Sequence, residues 1–352
     1  MARHRRPASA DRSLRVMFTC VGRRVELVRA FRDAGTRLRV RLEIHGTDTN
    51  RLAPALYHVD RAHLVPPIAR RSYISDLLRL VEKNRIDLLV PTIDTELPKL
   101  ADARERFADR GCTVLVSSPG VIAIGRDKLL THIFLTGTGI DTPTTWPASQ
   151  VLARRRHRFP CQIKPRYGSA SLGNYRVDDL EALRFWARRV PDPVVQEFVP
   201  GTEYTLDVYA GLDGRVRCVV PRERLDVRSG EVQKARVVKQ PELIDVGRRV
   251  VQSLGEVVGV VTVQVIRQST GRIRVIEINP RFGGGAPLAI RAGADFPRWL
   301  MMERLGDRPR IVPDGYRDGL YMLRYDQSVF VESPDPRNGR FARPAGRLPS
   351  PP

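Results

Sequence analysis

Hydrophobic and polar positions along residues 14 to about 118 follow two interleaved periods, short apolar runs and longer segments with apolar residues three and four apart. Leu14 to Thr19, Val40 to Gly46, Asp87 to Pro91 and Thr113 to Val116 read as strands. Val25 to Ala34, closed by Gly35, and Tyr73 to Asn84, with Leu77, Leu78, Leu80 and Val81 inward, read as helices. Strand and helix in alternation predict an α/β unit built on a doubly wound parallel sheet. The turn after the first strand, Cys20-Val-Gly-Arg-Arg, has one glycine and no GxGxxG, so dinucleotide binding is weakly supported even with Asp48 after the second strand. Thr92, Asp94 and Glu96 stand at the carboxyl end of the strand ending at Pro91, where open α/β sheets hold ligands; capping polar residues in a loop are the competing reading.

Beyond the linker Ser117-Ser-Pro-Gly the pattern changes. A helix from about Asp127 to Thr136 places Lys128 at its start, against the helix dipole, and a bound anion would account for it. Then a strand ends in Lys164-Pro165, a Gly/Ser loop runs from Gly168 to Gly173, and a strand starts near Tyr175. Such a flap can lay backbone N–H groups over phosphates, although it is not a Walker A loop and a plain surface turn has the same composition. Val194 to Val199 and the stretch after Pro200-Gly201 form a strand pair. The extended Gln196-Glu-Phe-Val199 segment offers backbone groups to an adenine edge, and Glu203 can accept from ribose hydroxyls.

Two strands, Val260 to Ile266 and Arg272 to Asn279, form a hairpin through Gln268-Ser-Thr-Gly271. Period-two alternation sets Ile273, Val275, Glu277 and Asn279 on one face, with Glu277 and Asn279 roughly 7 Å apart. An even-numbered loop puts Gln264 opposite Val275 and on that face; a one-residue slip would turn it away. A carboxylate and amide oxygens there can ligate Mg²⁺ carried by phosphates, and Arg281 follows as a phosphate clamp. Pro221 to Lys234 carries Arg222, Arg224, Arg228, Glu231 and Lys234, which with the Gly283 to Gly285 loop before a helix near Pro287 are the candidates for substrate selection. A solvated charged hairpin explains Arg228 and Glu231 as well.

Composition narrows the partners. At 352 residues and 42% apolar, the chain has material for two or three domains, and no run of about 18 apolar residues suggests a membrane span or, at the basic N-terminus, a signal peptide. Four scattered cysteines without CxxC argue for a reducing, cytoplasmic setting. The net charge of +21 raises a third reading, a basic nucleic-acid-binding or scaffold protein. Its arginines are spread along the whole chain without a nucleic-acid motif, so nucleic acid is not the expected partner. Against that arginine background only six lysines occur, Lys83, Lys99, Lys128, Lys164, Lys234 and Lys239, and a lysine kept there fits a position needing a compact ammonium on a flexible stem.

Taken together, Lys128, Lys164 with its glycine loop, Gln196-Glu-Phe-Val with Glu203, Gln264 and Glu277-Ile-Asn-Pro-Arg resemble the ATP-grasp superfamily, in particular its carbamoyl-phosphate-synthase-like members. The likeness runs from Leu14 to about Gly306 and includes Gly22-Arg-Arg-Val-Glu-Leu-Val and Pro91-Thr-Ile-Asp-Thr-Glu-Leu. It implies a disordered basic tail over 1–13, a Rossmann-like pre-grasp domain over 14–118, a two-lobed grasp domain with antiparallel sheets over 119–315 with its lid at about 145–200, and an extension over 316–352, disordered from Arg337 on. It further implies an ATP-dependent ligase that activates a small-molecule carboxylate for an amine or ammonia, with carbamate-type phosphorylation as the alternative. ATP and Mg²⁺ (or Mn²⁺) are the implied cofactors, and a homodimer is the open oligomeric alternative.

By the same resemblance Lys128, Lys164, Gly168, Ser169, Gln196, Glu197, Phe198, Val199 and Glu203 hold the nucleotide. Gln264, Glu277 and Asn279 hold metal, Gln264 replacing the acid many relatives carry. Arg281, Lys234 and Arg224 are the catalytic candidates.

Overall fold

The computed structural model describes residues 12–154, 158–168 and 172–331. The expected disorder after Arg337 lies outside the described residues. The chain folds as two compact units, one built from residues up to 116 with 295–309 and 326 onward, the other from 117–294 with 310–325. Among the described residues no helix is long and apolar enough to cross a membrane.

In the first unit, β1 (Ser13–Thr19), β2 (Arg41–Asp48), β3 (Arg61–Leu64), β4 (Leu88–Pro91) and β5 (Thr113–Val114) make a parallel sheet in the order β3-β2-β1-β4-β5. The order reverses between β1 and β4, as in doubly wound folds. Its helices are amphipathic: Val25–Leu38 buries Leu27, Val28, Phe31 and Ala34, and Tyr73–Asn84 buries Tyr73, Leu77, Leu78 and Val81. Each fully buried apolar side chain contributes roughly 1.5–3 kcal/mol. Gly35 does not end the first helix, as the pattern suggested. It lies inside it, because a β-carbon there would come within 2.7 Å of Leu42 Cδ2, so glycine serves close packing. The polar, four-residue β3 was not legible, since Arg-Ala-His-Leu carries almost no strand pattern. The helix Phe296–Arg304, inside the stretch expected to belong to the grasp domain, packs on the helix Val25–Leu38 instead.

The second unit has two antiparallel sheets. One comprises β6 (Thr145–Pro147), β7 (Cys161–Pro165), β8 (Tyr175–Val177) and β9 (Pro193–Glu197) in the order β6-β9-β7-β8, with Ile163, Val177, Leu183 and Val195 at its core. The other comprises β10 (Thr202–Gly211), β11 (Cys218–Arg228), β12 (Glu231–Val237), β13 (Gly259–Arg267), β14 (Ile273–Asn279) and β15 (Tyr321–Leu323), in the order β14-β13-β10-β11-β12-β15. Leu206, Val208, Val219, Val261, Val263, Val265, Val275 and Ile278 point to one face of it. The helix Pro241–Leu254 covers that face with Leu243, Val250, Val251 and Leu254.

The β13–β14 register corrects one expectation. Gln264 faces Glu277, not Val275, because a bulge intervenes: Val265 pairs with Val275, and Ile276 is the extra residue. The bulge turns the strand over. Val275 therefore joins the core while Arg274, Glu277 and Asn279 share the polar face, so the face expected to hold Ile273 and Val275 together with Glu277 is split.

Candidate functional site

The polar face of the six-stranded sheet carries two cross-strand rows. Glu277, Gln264, Thr205 and Arg222 stand opposite one another on four successive strands, and Asn279, Thr262 and Asp207 form the next row. Opposed residues in such ladders lie about 4.5–5.5 Å apart between Cα atoms, so Gln264 and Glu277 are neighbours, with Asn279 two residues further along β14 on the same face. Short polar residues at 203, 205 and 207, alternating with buried Tyr204, Leu206 and Val208, create this face.

From β7 comes Lys164, 8% exposed, whose Nζ donates to Gln196 Oε1 at 2.7 Å; Gln196 Nε2 donates in turn to Thr145 Oγ1 at 2.9 Å. Burial first, and then the charge of Lys128, push the Lys164 ammonium down to about 8, while Glu277 and Glu203 oppose the shift. Lys128 Nζ lies 3.4 Å from the Arg166 carbonyl and 3.5 Å from that of Gly168. Its position at a helix start is made tolerable by Asp127, which caps Lys128–Gly137 through the N–H groups of Leu129 and Leu130 and accepts both Nε and Nη2 of Arg166. Burial works against ionisation of Asp127, but the Arg166 hydrogen bond and the two backbone donors hold its carboxyl below the usual range.

Other expected nucleotide residues are placed as follows. Glu197 ends β9, and its carboxylate is gripped by Arg274, whose Nη1 and Nη2 donate to Oε1 at 2.6 Å and Oε2 at 2.9 Å. The Arg274 hydrogen bond holds that carboxyl below its ordinary value. Phe198 lies under the Arg176 guanidinium at 4.7 Å, and Val199 is buried. Glu203 Oε2 is 3.1 Å from Arg224 Nε, and Arg224 also donates to the Gly230 carbonyl. Gly168 is placed beside Lys128, whereas Ser169 lies outside the described residues.

Of the catalytic candidates, Arg281 donates to the Phe282 carbonyl at 2.9 Å, and its own carbonyl accepts from Thr262 Oγ1 at 3.0 Å. Lys234 is exposed, 3.5 Å from Asp226, and alternation puts it on the face opposite to Arg222 and Arg224. Ion pairs along the β11–β12 wall join Arg222 to Asp207, Arg224 to Glu203, Lys234 to Asp226, Arg236 to Glu223 and Arg324 to Glu231.

Two contributors, Asp207 and Arg274, escaped the sequence reading. Asp207 and Arg222 form an ion pair exposed by 0% and 1%, with Nε to Oδ2 at 2.5 Å and Nη2 to Oδ1 at 3.1 Å. Arg222 had been considered for substrate selection, but Asp207 had not, although the 203-205-207 alternation contained it. The Gly283 to Gly285 loop lies directly on this pair: a β-carbon at Gly285 would overlap Arg222 Nη1, and one at Gly283 would reach 2.9 Å from Thr262 Oγ1. Arg274 becomes visible only through the bulge.

In the first unit, Asp48 spends both carboxylate oxygens on the N–H groups of Gly22 and Asn50, each at 2.9 Å. Glu96 is fully buried, accepting from the Tyr73 hydroxyl at 2.8 Å and the Thr92 N–H at 3.2 Å, and burial raises its pKa. These contacts are those of structural acceptors.

No group of three or more His, Cys, Asp or Glu side chains able to hold a metal occurs among the described residues. One carboxylate, Glu277, flanked by the amide oxygens of Gln264 and Asn279, is still a hard-oxygen set. It suits Mg²⁺, which keeps waters and takes one or two carboxylates along with substrate phosphates.

Comparison with known proteins agrees with the fold. Residues 16–115 match the family described as PylC-like, N-terminal domain, and residues 189–320 match ATP-grasp in the biosynthetic pathway with Ter operon. The carbamoyl phosphate synthase large chain of Rhodopirellula baltica is 24% identical over 257 residues, 64% of this chain and 24% of that protein. The corresponding large chain of Bifidobacterium animalis subsp. lactis is 25% identical over 258 residues, 64% of this chain and 23% of its own. The chain thus spans about a quarter of the length of these curated relatives.

Among solved structures, L-amino acid ligase from Bacillus licheniformis superposes with a TM-score of 0.67 at 19% identity, covering 92% of this chain and 83% of that one. The biotin carboxylase domain of Hydrogenobacter thermophilus 2-oxoglutarate carboxylase, a complex with MgADP and bicarbonate, gives 0.67 at 16% identity, covering 87% and 73%. At such identities the likeness is one of fold. The chain is an ATP-grasp protein with a pre-grasp domain in front of the grasp fold.

Proposed function

We propose that the chain is an ATP-dependent ligase that activates a carboxylate as an acyl phosphate for attack by an amine or ammonia. The observation that carries this reading is the pairing of Gln264 with Glu277, Asn279 on the same polar face, together with Lys164 on β7 and Lys128 at the carbonyls of Arg166 and Gly168 just beyond it. Cations and an acceptor-only oxygen set together suit a triphosphate rather than a covalent nucleophile.

In this reading Lys164 and Lys128 neutralise phosphate oxygens, and the backbone of Glu197 to Val199 lies along the nucleobase. Glu277, Asn279 and Gln264 hold Mg²⁺, which when bound screens charge between the phosphate groups. A carboxylate oxygen of the substrate attacks the γ-phosphorus in line, and the bond to the β–γ bridging oxygen breaks, releasing ADP. The amine nitrogen then attacks the acyl carbon and phosphate departs, the nitrogen losing a proton to solvent. Positioning and charge neutralisation supply the rate, as no side chain forms a bond to the substrate. Arg281, two residues beyond Asn279 at the end of β14, serves as a clamp for the transferring group.

The test is ADP release from Mg-ATP with a panel of carboxylate and amine pairs, bicarbonate with ammonia among them. Turnover with an organic acid supports the ligase, and turnover with bicarbonate and ammonia alone supports the carbamoyl-phosphate alternative suggested by the curated relatives. Salt-sensitive nucleic-acid binding with no thermal response to ATP would overturn both.

A further inference from the structure

We infer that Arg274 is a positioning residue that fixes the nucleobase-facing segment Glu197 to Val199 against the strand holding Glu277 and Asn279, and so governs base selection. The inference rests on the nucleotide reading above.

Arg274 is 5% exposed and belongs to β14, three residues before Glu277. Without the bulge at Ile276 it would alternate away from Glu277; with the bulge, Arg274, Glu277 and Asn279 lie along one face. Its guanidinium is fully engaged by groups from other segments. Nη1 and Nη2 donate to the two Glu197 oxygens at 2.6 and 2.9 Å, Nη2 also to the Thr142 carbonyl at 2.8 Å, and Nε to Asp141 Oδ1 at 3.2 Å. Glu197 closes the circuit, because its N–H donates to the Thr144 carbonyl at 2.9 Å and its Oε2 lies 3.3 Å from the Thr144 N–H.

One planar fork thus joins three stretches of chain: the entry to β6, the end of β9 and the start of β14. A fork-to-fork pair fixes orientation as well as distance, which a lysine does not. Two consequences follow. The Glu197 carboxylate is withdrawn from any ligand, so bases are distinguished by the backbone groups of 197–199. Those groups are also held at a set distance from the phosphate and metal end, because Arg274 and Glu277 ride on the same strand.

The experiment is calorimetric titration of the full chain with ADP and GDP, with and without Mg²⁺, for wild type, Arg274→Met, Arg274→Lys, Glu197→Ala and the Met/Ala double variant. Arg274→Met is expected to weaken ADP about tenfold and to narrow the ADP-to-GDP preference, leaving the fold-strengthening by Mg²⁺ unchanged. Arg274→Lys should recover part of the affinity without the preference. The double variant should bind no more weakly than the poorer single variant, the signature of a coupled pair. Should Arg274→Met not fold, Glu197→Ala tests the same pair from a side chain 44% exposed to solvent. Unchanged ADP affinity and base preference in these variants, or additive losses, would overturn the role of Arg274 while leaving the nucleotide site intact. A wild type that binds neither nucleotide would sink both readings.

Discussion

Replacing Arg222 with Met removes the cation from an ion pair with almost no solvent contact, 1% and 0% exposed. Asp207 would then keep a buried charge with both oxygens stripped of their donors, and breaking such a pair costs about 3–5 kcal/mol. Converting Asp207 to Leu in the same background removes the stranded charge, and the double variant should recover at least about 2 kcal/mol of the loss. Urea unfolding followed by tryptophan fluorescence reads this out. Trp146 and Trp186 belong to the second unit and Trp299 to the first, so a Trp299→Phe background reports the second unit alone. With a denaturant slope of about 2–3 kcal/mol per molar for a unit of this size, the midpoint should fall by roughly 1–2 M. A loss below about 1 kcal/mol, or a double variant as unstable as Arg222→Met, would refute the buried-pair argument.

Gly285→Ala tests the same packing from above, since its β-carbon would reach 2.8 Å from Arg222 Cζ and 3.0 Å from Val232 Cγ1. Overpacking of this kind costs about 1–3 kcal/mol in the same urea assay, and no loss would mean that the loop shifts freely. For Lys164, lowered from 10.5 to about 8, the unfolded chain binds more protons between those values. Stability of wild type relative to Lys164→Met should therefore rise by about 3 kcal/mol as pH goes from 8 to 10.5, and ATP affinity of the free protein should fall over the same span. A flat difference would contradict the buried-lysine assignment. His45 donates to or accepts from His63 at 2.9 Å, and burial, then the neighbouring His63, lower it to about 4 from 6.5. The first unit should lose stability as pH falls from 6.5 through 4, and a melting temperature constant over that range would count against it. Glu277→Gln should abolish ADP release at a wild-type melting temperature, and retained turnover would remove Glu277 from the metal-binding set.

Much of this was legible in the chain because side-chain period and burial agree wherever one face is covered. Leu77, Leu78 and Val81 pointed inward as their spacing required, and polar Glu203, Thr205 and Asp207 alternated with Tyr204, Leu206 and Val208. Lys164 is marked by the glycine loop that follows it and Lys128 by its place at a helix start, and the structure sets Lys128 Nζ 3.4 and 3.5 Å from the carbonyls of Arg166 and Gly168. Local pattern failed where a single residue changes the register. Ile276 reads as an ordinary strand residue, yet as a bulge it reverses the orientation of everything N-terminal to it on β14. Arg274 was invisible for that reason. Pairings between distant segments, Asp207 with Arg222 on the adjacent strand and Arg274 with Glu197 in the other sheet, join residues 15 and 77 positions apart, which no local pattern connects.

The return of residues 295–309 to the first unit bears on how the chain is made. Arg37 pairs with Asp295 at 2.9 Å, Arg12 with Asp307 at 2.6 Å, and Arg304 donates to the Asp87 carbonyl at 2.8 Å. The second unit is thus inserted in sequence between two parts of the first. On the ribosome the parallel sheet emerges first but lacks its closing helix until Ser117–Ala294 has been synthesised. At about 5–20 residues per second, that is roughly 10 to 35 s with the helix Val25–Leu38 uncovered on one side. The inserted unit can finish folding before its host, and a chain truncated near residue 116 would retain the exposed flank permanently.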